Sequence, residues 1–146
     1  MLYRDLSAIE NLVFFGRLYG VSDPKTQAER LLDYVGLASR GHDPVKAFSR
    51  GMIQRVSIAR ALMHDPDILR ADEPFNGLDT TSSRVLVDLL RDLSAKSKTI
   101  ILATHDVHLT MALADQVVVL RHGQVVINER AEALSQQVVL DAIEIN

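Results

Sequence analysis

Two carboxylates stand side by side at Asp72-Glu73, followed by Pro74, at the end of the segment Asp67-Ile-Leu-Arg-Ala-Asp72. A short apolar strand ending in adjacent acids is suited to nucleotide hydrolysis. The strand holds the first carboxylate where it can bind Mg²⁺, directly or through water. It points the second at a terminal phosphate, where it can polarise an attacking water. The same pattern also occurs as an ordinary acidic turn, so the pair must be weighed with its neighbours. Upstream, Phe48-Ser49-Arg50-Gly51-Met52-Ile53-Gln54-Arg55 places a capping serine and a glycine at a helix start. Such an N-terminus offers free amides and the positive end of a dipole, a seat for a phosphate. Standing alone it would read as a plain Ser-capped helix. Downstream come Asn76-Gly77-Leu78-Asp79 and then Thr99-Ile-Ile-Leu-Ala-Thr104-His105-Asp106. His105 falls at the C-terminal tip of an apolar run, where ligands of open α/β sheets bind, and it could donate a hydrogen bond to a phosphate. A lone His at a strand end is usually just a loop residue.

The elements that must position these residues are legible in outline. Ser7-Ala-Ile-Glu10 is a capping box, which predicts a helix to about Tyr19 with Gly20 as its stop. Asp23-Pro24 starts a second helix that ends at Gly36, with Leu31, Leu32 and Val35 as its apolar side. Residues 38–47 read as loop around Gly41 and Pro44, and the Ser49-capped helix stops before Pro66. The second half alternates: a strand at Ile68–Ala71, a helix at Thr80–Ser94, a buried strand at Thr99–Ala103 and a helix at Val107–Leu113. A hairpin of Gln116–Leu120 and Gln124–Asn128 around His122-Gly123 follows, then a helix over Ala131–Ile143. Alternating strands and helices argue for a parallel α/β sheet. The helical first half reads as a separate subdomain, residues 1–66, set into a core of residues 67–146.

Composition limits the functional classes. The 146 residues carry a formal net charge of −3, which gives no electrostatic reason to expect nucleic acid as a partner. The chain has no cysteine, which excludes disulfides and thiolate metal sites. No apolar stretch approaches the roughly 20 residues needed to span a bilayer, and Met1–Asp5 do not open a signal peptide. The expectation is a soluble chain that can still dock onto a membrane protein.

Taken together, the Ser-capped helix, Asp-Glu-Pro, Gly-Leu-Asp and Thr-His-Asp, in this order and at these separations, resemble the ATPase subunits of ABC transporters. The resemblance covers nearly the whole chain. It implies a P-loop NTPase (RecA-like) three-layer α/β fold, here incomplete, with the inserted ABC-type helical subdomain. It implies ATP and Mg²⁺ as cofactors. Ser49, Arg50, Gly51 and Met52 match the signature motif, usually Leu-Ser-Gly-Gly-Gln, which contacts ATP held by the opposite subunit. Asp72 matches the Walker B aspartate that serves the metal, and Glu73 the catalytic glutamate. Gly77, Leu78 and Asp79 match the D-loop, and His105 the switch histidine. Leu2–Leu12 looks like the stretch after the Q-loop, which faces the coupling helices of the membrane subunit. The implied partners are a transmembrane permease subunit and a second ATPase subunit, in a homo- or heterodimer, with no nucleic acid. The implied location is cytoplasmic, peripheral on the inner face of the membrane. Phe-Ser-Arg-Gly-Met and Phe14–Tyr19 look most like exporter-type subunits paired with ABC-2-type membrane proteins.

The sequence also departs from that family. None of its four lysines, Lys25, Lys46, Lys96 and Lys98, follows a glycine, so no Gly-x-x-x-x-Gly-Lys-Ser/Thr cradle occurs. The expectation is an N-terminal truncation, an alternative start or a fragmentary gene model, which the upstream reading frame would tell apart. In the family's sheet, the strand feeding that cradle lies between those ending at Ala103 and Leu120, so both would lack a neighbour here. Arg70 stands in a strand expected to be wholly apolar, where a buried unpaired guanidinium is costly. Arg50 and Met52 replace the usual Gly and Gln of the signature. Three functions compete: a transport ATPase that energises export, an inactive fragment or pseudo-ATPase unable to bind ATP alone, and a non-transport ABC ATPase. The transported substrate is not legible.

Overall fold

A computed structural model describes residues 1–144. The chain divides into two compact units, Met1–Leu102 and Ala103–Asn146, and each has its own hydrophobic core.

The first unit begins with helices α1 (Ala8–Leu18), α2 (Pro24–Tyr34) and α3 (Arg50–Ala61). The capping box is present. Ser7 Oγ accepts from Glu10 N–H at 3.3 Å, and the Glu10 carboxylate accepts from Ser7 N–H at 2.7 Å. The Ser7 backbone bond, then its hydroxyl, hold the Glu10 carboxyl below its ordinary value. Asn11 is wholly buried. Its amide donates to the Tyr3 and Ser7 carbonyls at 2.9 Å and its oxygen accepts from Tyr3 N–H at 2.7 Å, which pins residues 3–7 along α1. Residues 38–47, expected as loop, contain two short 3-10 turns, Ala38–Arg40 and Val45–Ala47.

Strand β1 (Ile68–Asp72), helix α4 (Thr80–Ala95) and strand β2 (Thr99–Ala103) complete the unit, with β1 and β2 hydrogen-bonded as a two-stranded sheet. Leu86, Leu89, Leu90 and Leu93 are the buried stripe of α4, which joins the cluster containing Leu12, Leu32, Val56, Met63 and Leu69. Burying such side chains supplies about 1.5–3 kcal/mol each, the main force holding the helices together.

The second unit carries α5 (Val107–Leu113), β3 (Gln116–Arg121), β4 (Gln124–Arg130) and α6 (Gln136–Glu144). Strands β3 and β4 pair antiparallel, with an irregularity between Val119 and Leu120. The turn holds His122 at φ +51° and Gly123 at φ +77°, two consecutive left-handed residues of the kind a tight hairpin requires. Nothing lies within 4 Å of the position a Gly123 Cβ would take. Val117 and Val119 point inward to Val107, Ala131 and Val139.

Two expectations are corrected. The strand Thr99–Ala103 forms but is not buried: its residues alternate exposed and half-buried, and Ile101 is 52 % exposed. Ile100 and Leu102 pack on the helical core while the opposite face lies open. A continuous apolar run signals a strand covered on both faces, and only one face is covered here. Nor do the strands form one sheet, since β2 and β3 belong to different sheets. Arg70 is exposed, on the same side of β1 as Ile68 and Asp72, so no guanidinium is buried in that strand.

Candidate functional site

The site is built where the first turn of α3 meets the turn after β1 and the first turn of α4. Ser49 is the N-cap of α3, and its Oγ accepts from Met52 N–H at 3.3 Å. Asp79 is the N-cap of α4. Its Oδ1 accepts from Ser82 N–H at 2.8 Å and its Oδ2 from the Ser82 hydroxyl at 3.0 Å. The Ser82 backbone bond, then the hydroxyl bond, hold the Asp79 carboxyl below its ordinary value.

The two helix starts interlock through glycine. Gly51 is buried, and a Cβ there would lie 2.5 Å from Ser82 Oγ and 2.7 Å from Ser82 Cβ. Gly51 thus lets the starts of α3 and α4 approach closely. Gly77 has φ +71°, and a Cβ on it would overlap Arg50 Nη1 and stand 3.2 Å from Arg50 Cζ. Ser82 was not singled out in the sequence. The Asp79-x-x-Ser82 spacing, an acidic N-cap facing the third helical residue, is the signal that marks it.

Asp72 ends β1 exposed, and Glu73 beside it is half-buried with φ +43°. A left-handed backbone is uncommon for a residue with a side chain and costs of order 1–3 kcal/mol. The chain then turns, with Asn76 N–H bonding the Glu73 carbonyl at 3.1 Å and Leu78 N–H the Phe75 carbonyl at 3.1 Å. A cavity of about 310 Å³ opens here, lined by Arg50, Ile53, Gln54, Glu73, Pro74, Asn76 and Leu78. The structure therefore brings Arg50 and Glu73 to one cavity and packs Gly51 and Gly77 against the elements that frame it. Met52 is half-buried in the first turn of α3.

His105 lies in the second unit, exposed, in the bend between β2 and α5. Asp106 beside it caps α5, with Oδ1 accepting from Leu109 N–H at 2.9 Å and its own N–H donating to Thr104 Oγ1 at 3.2 Å.

The donor set decides which groups these residues fit. Among the described residues no three His, Asp or Glu side chains gather into a metal cage. A single exposed carboxylate at Asp72 instead suits Mg²⁺, which keeps several waters and takes phosphate oxygens as ligands. The chain's own residues include no glycine-lysine cradle for a triphosphate.

A profile of the ABC transporter family matches residues 1–76. The ABC transporter ATP-binding protein NatA of Bacillus subtilis is 41 % identical over 135 residues, which are 91 % of this chain and 55 % of that protein. A Nod factor export ATP-binding protein of Sinorhizobium fredii is 38 % identical over 147 residues, 99 % of this chain and 43 % of that protein. A fluoroquinolones export ATP-binding protein of Mycobacterium tuberculosis is 40 % identical over 126 residues, 85 % and 40 % respectively. The chain thus spans about half the length of the curated relatives it matches. A solved structure described as an inward-facing metal-chelate type ABC transporter superposes with a TM-score of 0.84 at 23 % identity, over 94 % of this chain and 57 % of that one. The fold is accordingly the ABC ATPase form of the P-loop NTPase architecture, in part. With the profile covering more than half of its residues, the chain belongs to the ABC transporter family.

Proposed function

We propose that this chain is the signature, Walker B and switch-histidine portion of an ATP-hydrolysing subunit that energises export across a membrane. The observation that carries the reading is the physical joining of the Ser49–Met52 helix start to the Glu73–Asp79 turn, supported by export proteins among the relatives. In this reading residues 1–66 are the helical subdomain and 67–146 belong to the ATPase core. Mg²⁺ bound with ATP supplies charge neutralisation of the phosphates, and Asp72 is the residue that would hold it. Glu73, braced on a strained turn, polarises the attacking water as general base. His105 donates a hydrogen bond to the terminal phosphate. Ser49, Arg50, Gly51 and Met52 face a nucleotide held by a second ATPase subunit, and Gly77, Leu78 and Asp79 link the two sites.

A transmembrane permease is the other partner. The segment Leu2–Leu12, expected to face coupling helices, supports this: Tyr3 is exposed there and packs edge-on to the exposed Phe14 of α1 at 5.2 Å. The site of action is then the cytoplasmic surface of the membrane. No helix among the described residues is long and apolar enough to cross one.

The test is ATP turnover and ATP trapping by the subunit assembled with its permease. Glu73→Gln should abolish turnover while nucleotide stays bound. Unchanged turnover would remove Glu73 from this role. A second reading rests on the absence of a glycine-lysine cradle in the sequence. The chain alone would then offer only its signature face to an intact partner. Titration of the isolated chain with Mg-ATP should show no binding below millimolar concentration, and micromolar affinity would overturn that reading.

A further inference from the structure

The geometry assigns Arg50 a task within its own chain: it is a positioning residue that braces the Gly77 turn and, through it, Glu73. This goes beyond contact with a nucleotide across a dimer, because it concerns the chain before any partner arrives. Arg50 is the first residue of α3, where its Cα is fixed by the Ser49 cap and by the contact of Gly51 with Ser82. From that fixed point its side chain reaches Gly77. A methyl built there would overlap Nη1 and come within 3.2 Å of Cζ and 3.4 Å of Cδ. The aliphatic stem and the guanidinium both lie along the backbone of the turn, in the space a side chain at 77 would fill.

Two left-handed residues bound this turn, Glu73 at φ +43° and Gly77 at φ +71°. For Glu73 that conformation is strained, and strained backbone persists only where the surroundings over-determine it. On the downstream side the turn is held by Asp79 and Ser82. Arg50 and Glu73 line the same cavity, together with Pro74, Asn76 and Leu78 of the turn. Arg50 therefore supplies a hold from α3, and a glycine at 77 is needed both for its φ and for clearance of this side chain.

Amide hydrogen exchange on the chain as it exists reads this directly, and it does not depend on ATP hydrolysis. Arg50→Ala should speed exchange of residues 73–78 by about tenfold while α1 keeps its protection. Arg50→Lys, which keeps an extended stem and a cation, should restore most of the protection. Gly77→Ala should open the turn in the wild-type background and do so less in the Arg50→Ala background, because the clash is gone and only the φ constraint remains. Unchanged exchange at 73–78 in Arg50→Ala would overturn the assignment, as would an equal effect of Gly77→Ala in both backgrounds. Loss of protection in α1 as well would also overturn it, since a brace for the turn is not needed to fold that helix. Failure of Glu73→Gln to stop turnover would leave this exchange result untouched, so the two readings fail separately.

Discussion

Glu73 shows what a single residue can carry. Its side chain was legible in the sequence as one of two adjacent acids after an apolar strand, but its left-handed backbone was not, because φ at a non-glycine residue is imposed by packing. Replacing it by glycine removes the steric cost. Glu73→Gly is expected to raise the urea midpoint, by about 1 kcal/mol in stability, whereas Glu73→Gln should leave it unchanged. Equilibrium denaturation of the three forms checks this, and equal stability of all three would show that the turn stores no strain. Arg50 illustrates the opposite limit. The sequence marked it only as a departure from the family's glycine, and its contact with Gly77 belongs to the third dimension. Arg70 was weighed as a guanidinium buried in a strand. It lies exposed because the face of β1 that bears it is open.

Among elements, helix starts and stops were the most legible part of the chain, since caps act over three or four residues. Ser7, Asp23, Ser49, Asp79 and Asp106 each cap a helix through a side-chain oxygen. Joints between helices were not legible. One is the bond from the Tyr34 hydroxyl to Asp92 at 2.6 Å, which ties the end of α2 to α4, with Lys96 on the same carboxylate at 2.6 Å. Burial, then the bond to Asp92, raise the Tyr34 phenol well above its ordinary value. A phenol raised in the folded state is held neutral by folding. Its contribution is complete below about pH 10, the unfolded value, and is lost as pH rises towards the folded one. Wild type is therefore expected to lose stability between about pH 9 and pH 11 more steeply than Tyr34→Phe. Urea denaturation at the two pH values measures the difference, and parallel losses would refute the link. The difference in absorbance at 295 nm between the two proteins should likewise lack the phenolate step near the ordinary value.

At the scale of the molecule, the sequence conveyed strands but not how much of each would be covered. Sheet coverage depends on neighbours that no local pattern encodes, and Thr99–Ala103 is the clearest instance. In the first unit Ile68 and Ile101 stand on open faces, 59 % and 52 % exposed. In the second Val118, Leu120 and Val125 do the same. Apolar faces and unpaired strand edges of this kind promote association. The isolated chain is expected to bind a hydrophobic dye, to self-associate in sedimentation velocity and to show no cooperative melt above ~50 °C. Ile101→Lys should reduce the association without changing the helical signal in circular dichroism. A monodisperse monomer melting cooperatively above that temperature would contradict the expectation.

The hairpin tip of the second unit has a practical consequence. With space open around Gly123 and no thiol anywhere in the chain, a short cysteine-bearing insert between His122 and Gly123 would carry a unique attachment point for a fluorophore. Exposed tips of this sort tolerate added residues. The label would ride on β3–β4 and report the pairing of that hairpin from its own tip.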